Sequence, residues 1–279
     1  MILSFHPIFN ADQNIICAGR KPTPDDRSAI QAAEAVILPQ GCVQSLYRLA
    51  RQNCTRVFPN YDARFGYPGK IGQIRLFHEN RVNYPASEVF DSMDSFKDMY
   101  NDALNTLPFT FPLLFKFNWG GEGESVFLIH TAEQLQEVIH KTVVFEGTDQ
   151  MGFIIQEFIP NPNRTLRVAV IGEKRISYWR VQKNTDRFHA CLAKGAIIDA
   201  EADPELQEVA VSETNAFCKK TNIDLAGFDF LFSDDKDSFF LEINYYFGRR
   251  GLGGSEKYYQ MLIEEITNWL SRQGLKIGI

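Results

Sequence analysis

Long apolar runs are missing from this chain. No stretch of its 279 residues approaches the ~20 consecutive apolar residues of a membrane helix. The opening residues, Met1-Ile-Leu-Ser-Phe-His-Pro7, put no basic segment ahead of an apolar core, so they do not read as a secretory signal. Paired cysteines are missing too. Cys17, Cys42, Cys54, Cys191 and Cys218 are odd in number, widely spaced and form no Cys-x-x-Cys. That argues against a disulfide framework or a thiolate zinc site and for a reducing compartment. A basic surplus is also absent: 29 Lys and Arg stand against 35 Asp and Glu, a formal net charge of -6. Non-specific nucleic-acid binding needs a basic surface, whereas a small anionic ligand needs only a local basic pocket. The five histidines show no metal-ligand spacing, and there is no internal repeat or low-complexity segment. The expected setting is cytoplasmic, with no membrane or nucleic-acid partner.

What is present is a globular composition, 44% hydrophobic and 23% charged, long enough for two or three cores. Residues 1–67 read as a small α/β lobe. Buried strands are expected at residues 14–17 and 35–38. A helix over residues 23–33 is expected to start from a Thr23 cap with Pro24 in its first turn. Gly66, Tyr67, Pro68 and Gly69 mark a break. Residues 68–150 read as helix, extended segment, helix, strand, loop, strand and helix. Residues 151–279 begin with three strands at 153–156, 166–171 and 176–181. A helix starting at Asp203-Pro204 follows, then two strands and a closing amphipathic helix over 255–272.

The most informative stretch is Leu225-Ala-Gly-Phe-Asp-Phe-Leu-Phe232, a polar turn, and Phe239-Phe-Leu-Glu-Ile-Asn244. Two apolar runs around a polar turn predict a β-hairpin. A turn centred between Asp235 and Lys236 sets Asp229 opposite Glu242, Gly227 opposite Asn244 and Leu231 opposite Phe240. Directly opposed residues share a face. One face, with Phe228, Phe230, Phe232, Phe239, Leu241 and Ile243, is then apolar core. The other carries two carboxylates about 5 Å apart, which repel unless something positive lies between them. Two carboxylates and an amide oxygen form a hard all-oxygen set suited to magnesium with phosphates. The alternative is a solvated face with an accidental acidic pair. Phe240 and Leu231 on that face weigh against it, because an adenine ring could use such an apolar floor.

A Phe-Asp-Phe strand followed by Leu-Glu-Ile-Asn resembles the C-terminal signature of ATP-grasp enzymes. The likeness is nearest to RimK-type glutamate ligases and glutathione synthetases and covers residues 68–272. It implies an ATP-grasp fold of two α+β subdomains clasping ATP, preceded by the small α/β lobe. It also implies ATP and Mg2+, with Asp229, Glu242 and Asn244 as the metal ligands. Leu114-Phe-Lys116-Phe-Asn-Trp-Gly120-Gly-Glu-Gly123 is similar to the family's lysine-bearing strand and phosphate loop, with Lys116, Gly120, Gly121 and Gly123 on the nucleotide. Alone it would also read as a tight turn. Lys70 stands where the family has its first ATP-binding lysine. Glu157, Phe158 and Ile159, ahead of Pro160, match the segment that reads adenine. Arg167 matches a family arginine, and Lys194 before Gly195 matches a basic residue; with the loop of Arg249 and Arg250 they are the cations expected to act on the substrate carboxylate.

Departures follow. Arg180-Val181-Gln182 stands where the family often has paired arginines, and Phe188-His189-Ala190-Cys191 where it often has Phe-Arg-Ser-Asn. Both leave the substrate open. Arg249 and Arg250 lie between glycines just after Asn244, as in an anion-binding loop ahead of a helix; solvated loop arginines are the alternative. The implied activity is an ADP-forming ligase. It would join a small-molecule or peptide carboxylate to an amine or thiol through an acylphosphate. The competing readings are a small-molecule kinase and a non-catalytic ATP-binding module. A homo-oligomer is compatible with the sequence.

Overall fold

In the computed structural model the described residues are 1–100, 106–120, 125–161, 163–183 and 195–276. The first sheet is parallel, in the order β2-β1-β3-β4. Its strands are β1 (Ile2–Ser4), β2 (Gln13–Asn14), β3 (Ala35–Ile37) and β4 (Val57–Phe58). Helix α1 (Pro24–Ala32) starts as the sequence predicts. The Thr23 side chain accepts from the Asp26 N–H, and the Asp26 carboxylate accepts from the Thr23 N–H at 2.7 Å. The reciprocal cap satisfies two amides that the first helical turn leaves open. Helix α2 (Gln44–Asn53) covers the same sheet with Leu46, Leu49 and Ala50.

The strand expected at residues 14–17 is a correction. The strand ends at Asn14, the last ladder bond runs from the Ile15 N–H to Ser4 O at 2.9 Å, and Ile16 is 74% exposed. A turn closes there: Ala18 and Gly19 take φ of 45° and 77°, and the Arg20 N–H donates to Cys17 O. Ile15 and Cys17 still pack in the core of this lobe, but beyond the end of the strand. The strand that fills the centre, β1, is too short to read from a pattern.

Helices α3 (Asp62–Gly66) and α4 (Gly69–Glu79) lead to a second, antiparallel sheet in the order β5-β8-β6-β7. Its chain order is β5 (Ser87–Phe90), α5 (Met93–Tyr100), β6 (Leu113–Phe117), β7 (Val126–Ile129), α6 (Ala132–Glu146) and β8 (Phe153–Glu157). The alternation along β6 and β8 sorts the two faces. Phe115, Phe117, Phe153 and Ile155 pack under α5 and α6, while Leu114, Lys116, Ile154 and Gln156 point the other way, into a cleft.

The third sheet, also antiparallel, runs β11-β10-β9-β12-β13. It comprises β9 (Arg164–Ile171), β10 (Lys174–Val181), β11 (Ile197–Asp199), β12 (Leu225–Phe232) and β13 (Ser238–Asn244). One face, with Val168, Val170, Phe228 and Phe230, is buried with residues of α4 and of α7 (Pro204–Thr221). The opposite face is divided along its length. Its apolar end, with Ala169, Ile171 and Leu225, is closed by Tyr258, Leu262 and Ile266 of α8 (Ser255–Arg272), which also touches the first sheet. Its polar end, with Arg167, Asp229 and Asn244, stays open as one wall of the cleft. No helix among the described residues is long and apolar enough to cross a membrane.

Candidate active site

The second and third sheets face each other across a cleft of about 560 Å³. The hairpin β12–β13 forms its charged wall. Gly227 pairs with Asn244, Phe228 with Ile243 and Asp229 with Glu242, as a symmetric turn predicts. Beyond Asp229 the register shifts by one residue, and Phe230 faces Phe240 instead of Leu241. This bulge corrects the expected apolar floor. Phe240 is 1% exposed and packs among Phe77, Phe217 and Phe230 in the core. Leu241, expected in the core, turns with Leu231 to the cleft. One extra residue in a strand reverses which side chains face each way on its far side.

Asp229 is held by its neighbours. Arg167 stands opposite it on β9 and donates from Nε to Oδ1 and from Nη2 to Oδ2, the latter at 2.8 Å. Arg180 Nη2 lies 2.9 Å from Oδ1, and Asn244 Nδ2 donates to Oδ2 at 3.1 Å. Arg167 needs the absence of a side chain at Gly227, where a Cβ would come within 2.9 Å of its Nη1. Burial alone would raise the Asp229 carboxyl; the two guanidinium groups outweigh it and hold the carboxyl below its usual range. Glu242, by contrast, accepts no hydrogen bond from the described residues and faces the cleft with Asn244.

Across from this wall stand two lysines. Lys116 Nζ donates to Gln156 Oε1 at 2.6 Å. Desolvation, with Lys70 nearby, lowers Lys116 to about 8 against the opposing pull of Glu242. Lys70 Nζ donates to Gly120 O at 2.8 Å and Ser125 Oγ at 3.3 Å. Its backbone is pinned to the β6 end. Lys70 N–H donates to Asn118 O, and Ile71 N–H to Asn118 Oδ1 at 3.0 Å. Gly69 makes this possible, with φ of 70° and Asn118 Oδ1 2.2 Å from where a Cβ would stand.

The β8 end closes one side. Glu157, Phe158 and Ile159 line the cleft, and Glu157 Oε1 accepts from the Ala86 N–H at 2.8 Å. At the other side Arg249 lies over the rings of Tyr258 and Tyr259, 4.8 and 4.3 Å from their centroids, and Arg250 begins a 3-10 turn, Arg250–Leu252. His6 of the first lobe lies near Arg249; desolvation first, then that charge, lowers it to about 4.

Residues 69–269 match the family profile of the RimK-like ATP-grasp domain. The chain belongs to the RimK-like ATP-grasp family. A solved RimK-domain ATP-grasp protein from Sphaerobacter thermophilus shares the fold with a TM-score of 0.62 and 12% identity, over 95% of this chain and 98% of that one. The VanG D-Ala:D-Ser ligase of Enterococcus faecalis gives a TM-score of 0.61 at 17% identity, covering 85% of this chain and 73% of its own. The ADP complex of an N5-carboxyaminoimidazole ribonucleotide synthetase gives 0.64 at 11%, over 99% and 71%. At these identities the likeness is one of fold. A Mycoplasma pneumoniae protein, described as uncharacterized, is 28% identical over 138 residues, 49% of this chain and 44% of its own length. The chain thus spans less than half of that relative.

Within this ATP-grasp chain, the cleft gathers Lys70, Lys116, Gly120, Glu157, Phe158, Ile159, Arg167, Asp229, Glu242, Asn244, Arg249 and Arg250. Phe240 is excluded from it. Gly121, Gly123 and Lys194 lie outside the described residues, as does the 188–191 stretch. Sequence reading missed Gln156, Tyr178 and Gln73, and it treated Arg180 only as a departure from the family pattern. Gln156 had a visible signal, a polar residue inside the apolar run Phe153–Glu157.

Proposed function

We propose that this protein is an ATP- and magnesium-dependent ligase joining a carboxylate to an amine, or to a thiol, through an acylphosphate. The observation that carries this reading is the charge layout of the cleft. Lys70, Lys116, Arg167, Arg180, Arg249 and Arg250 line it against three carboxylates, Glu157, Asp229 and Glu242, on a chain of net charge -6. A local cationic surplus facing two carboxylates and an amide is what a polyphosphate and its metal require. The family fold and the ligase and synthetase neighbours of like fold agree with it.

Among the described residues no group of three or more His, Cys, Asp or Glu could hold a metal by itself. The donors at this site are Glu242, Asn244 Oδ1 and the remaining lone pairs of Asp229, with phosphate oxygens to complete the shell. That hard set fits magnesium, which keeps few protein ligands in nucleotide sites. Bound there, magnesium would offset charge on the transferring phosphoryl group.

Adenine takes the β8 end, against Glu157, Phe158 and Ile159, with Leu231 and Leu241 as its apolar floor in place of Phe240. Lys70, Lys116 and the loop of Gly120, Gly121 and Gly123 hold the phosphates. Arg249 and Arg250, with Lys194, seat the substrate carboxylate, since two anions must approach within bonding range. A carboxylate oxygen takes the γ-phosphoryl group as its bond to ADP breaks. The amine nitrogen then attacks the acyl carbon, loses its proton and expels phosphate. Arg167, expected beside them on the substrate carboxylate, has Nε and Nη2 committed to Asp229 and acts through it instead. The lobe division at residues 1–67, 68–150 and 151–279 goes with this reading except at β8, which lies between β5 and β6 and joins the middle lobe. The buried free thiols of Cys17, Cys42, Cys54 and Cys218 accord with a cytoplasmic setting.

The test is turnover with ATP, magnesium, hydroxylamine and a library of acids. ADP and a hydroxamate are expected. AMP with pyrophosphate would mean an adenylating ligase, a stable phosphorylated product a kinase, and nucleotide binding without turnover a binding module.

A further inference from the structure

Gln156 is 1% exposed, on the cleft face of β8, and both ends of its amide are committed. Oε1 accepts from Lys116 Nζ at 2.6 Å. Nε2 donates to Ser87 Oγ at 2.6 Å, and Ser87 Oγ donates to Pro85 O at 2.6 Å. The chain runs in one chemical direction only. An ammonium has no acceptor, so the amide oxygen must face Lys116. The amide nitrogen must then face Ser87, whose own hydrogen is taken by a backbone carbonyl. Lys116 therefore meets a fixed acceptor on its own sheet. Two ammonium hydrogens remain for the cleft.

The alternative partner of Lys116 is Glu242 on the opposite wall, whose charge already acts on it. A lysine without its acceptor would be drawn to that carboxylate and would occupy an acid that accepts no hydrogen bond from the described residues. A glutamate at 156 would hold the lysine in place but neutralise it. An uncharged acceptor holds the lysine without neutralising it.

We infer that Gln156 is the positioning residue for Lys116, keeping its ammonium on the second sheet, unneutralised and apart from Glu242, so that it meets the nucleotide phosphates. The inference rests on the reading of the cleft as a nucleotide site, and one arm of its test does not.

That arm is reductive methylation of the nucleotide-free protein, with Lys116 read by peptide mass spectrometry. Gln156→Leu should change its labelling rate several-fold while Gln156→Glu, which retains the acceptor, keeps it at or below the wild-type rate. In the second arm, calorimetry with Mg-ATP, Gln156→Leu should weaken binding about tenfold, the weight of one hydrogen bond to a charged group. In a Lys116→Met background the same change should add nothing. Unchanged labelling and affinity in Gln156→Leu would overturn the inference. So would an equal loss in the Lys116→Met background, which would make Gln156 a direct nucleotide contact. A wild-type protein that binds no Mg-ATP would refute the proposed function, while the labelling result would still decide the inference.

Discussion

Arg167 on β9 and Asp229 on β12 stand directly opposite each other in the antiparallel ladder, with Arg167 Nη2 2.8 Å from Asp229 Oδ2. Both are nearly fully buried, at 5% and 4% exposure. A buried pair of this kind does little for net stability, but removing one partner leaves a desolvated charge behind. Arg167→Met should therefore lower the free energy of unfolding by about 3 kcal/mol, moderated by Arg180. Adding Asp229→Asn should restore part of that loss. Urea denaturation of the single and double variants measures it; strictly additive losses would mean that the pair is not coupled.

Glu242 has no hydrogen-bonding partner among the described residues, so its removal should leave the fold intact. Glu242→Gln should weaken Mg-ATP binding at least about tenfold while leaving metal-free ATP binding unchanged or tighter, because a negative charge has gone. Calorimetry with and without magnesium separates the two. Equal affinity for Mg-ATP in both proteins would remove Glu242 from the metal site.

Gly69→Ala combines a φ of 70° with a Cβ placed 2.2 Å from Asn118 Oδ1. The cost should be about 2 kcal/mol. The displaced α4 start should also move Lys70 and weaken nucleotide binding. Thermal unfolding and nucleotide titration check both parts. A variant as stable as the parent would mean that the α4 start adapts freely.

The pH behaviour should show an unusual sign at Asp224. Its carboxyl accepts from the Asn60 N–H at 2.8 Å, and desolvation raises it to about 8 from 3.8. The folded state therefore keeps a proton that the unfolded chain releases, and stability falls as pH rises from 3.8 toward 8. Asp224→Asn keeps the acceptor without the charge. It should raise the unfolding midpoint at pH 8 by about 3 °C or more and leave it nearly unchanged at pH 4. An equal shift at both pH values would show that the proton is not involved.

The sequence by itself determined the hairpin from Leu225 to Asn244 up to Asp229, because a polar turn between two apolar runs sets the opposed pairs by symmetry. It determined the cap of α1, the start of α7 at Asp203-Pro204 and the full extent of α8, which depend on residues close along the chain. The family signature also marked Lys70, Lys116, Glu157, Arg167, Asp229, Glu242 and Asn244, which line the cleft. The tertiary structure alone decided the rest. The bulge past Asp229 moved Phe240 into the core and Leu241 into the cleft; two-residue periodicity does not encode an extra residue that packing selects. Ile16 looked like strand and proved exposed, because the turn at Ala18 and Gly19 ends the ladder. The partner of Asp229 is 62 positions away, and that of Lys116 is 40. Pairings at such separations are written in no local pattern; they exist only once the sheets have set their strand order.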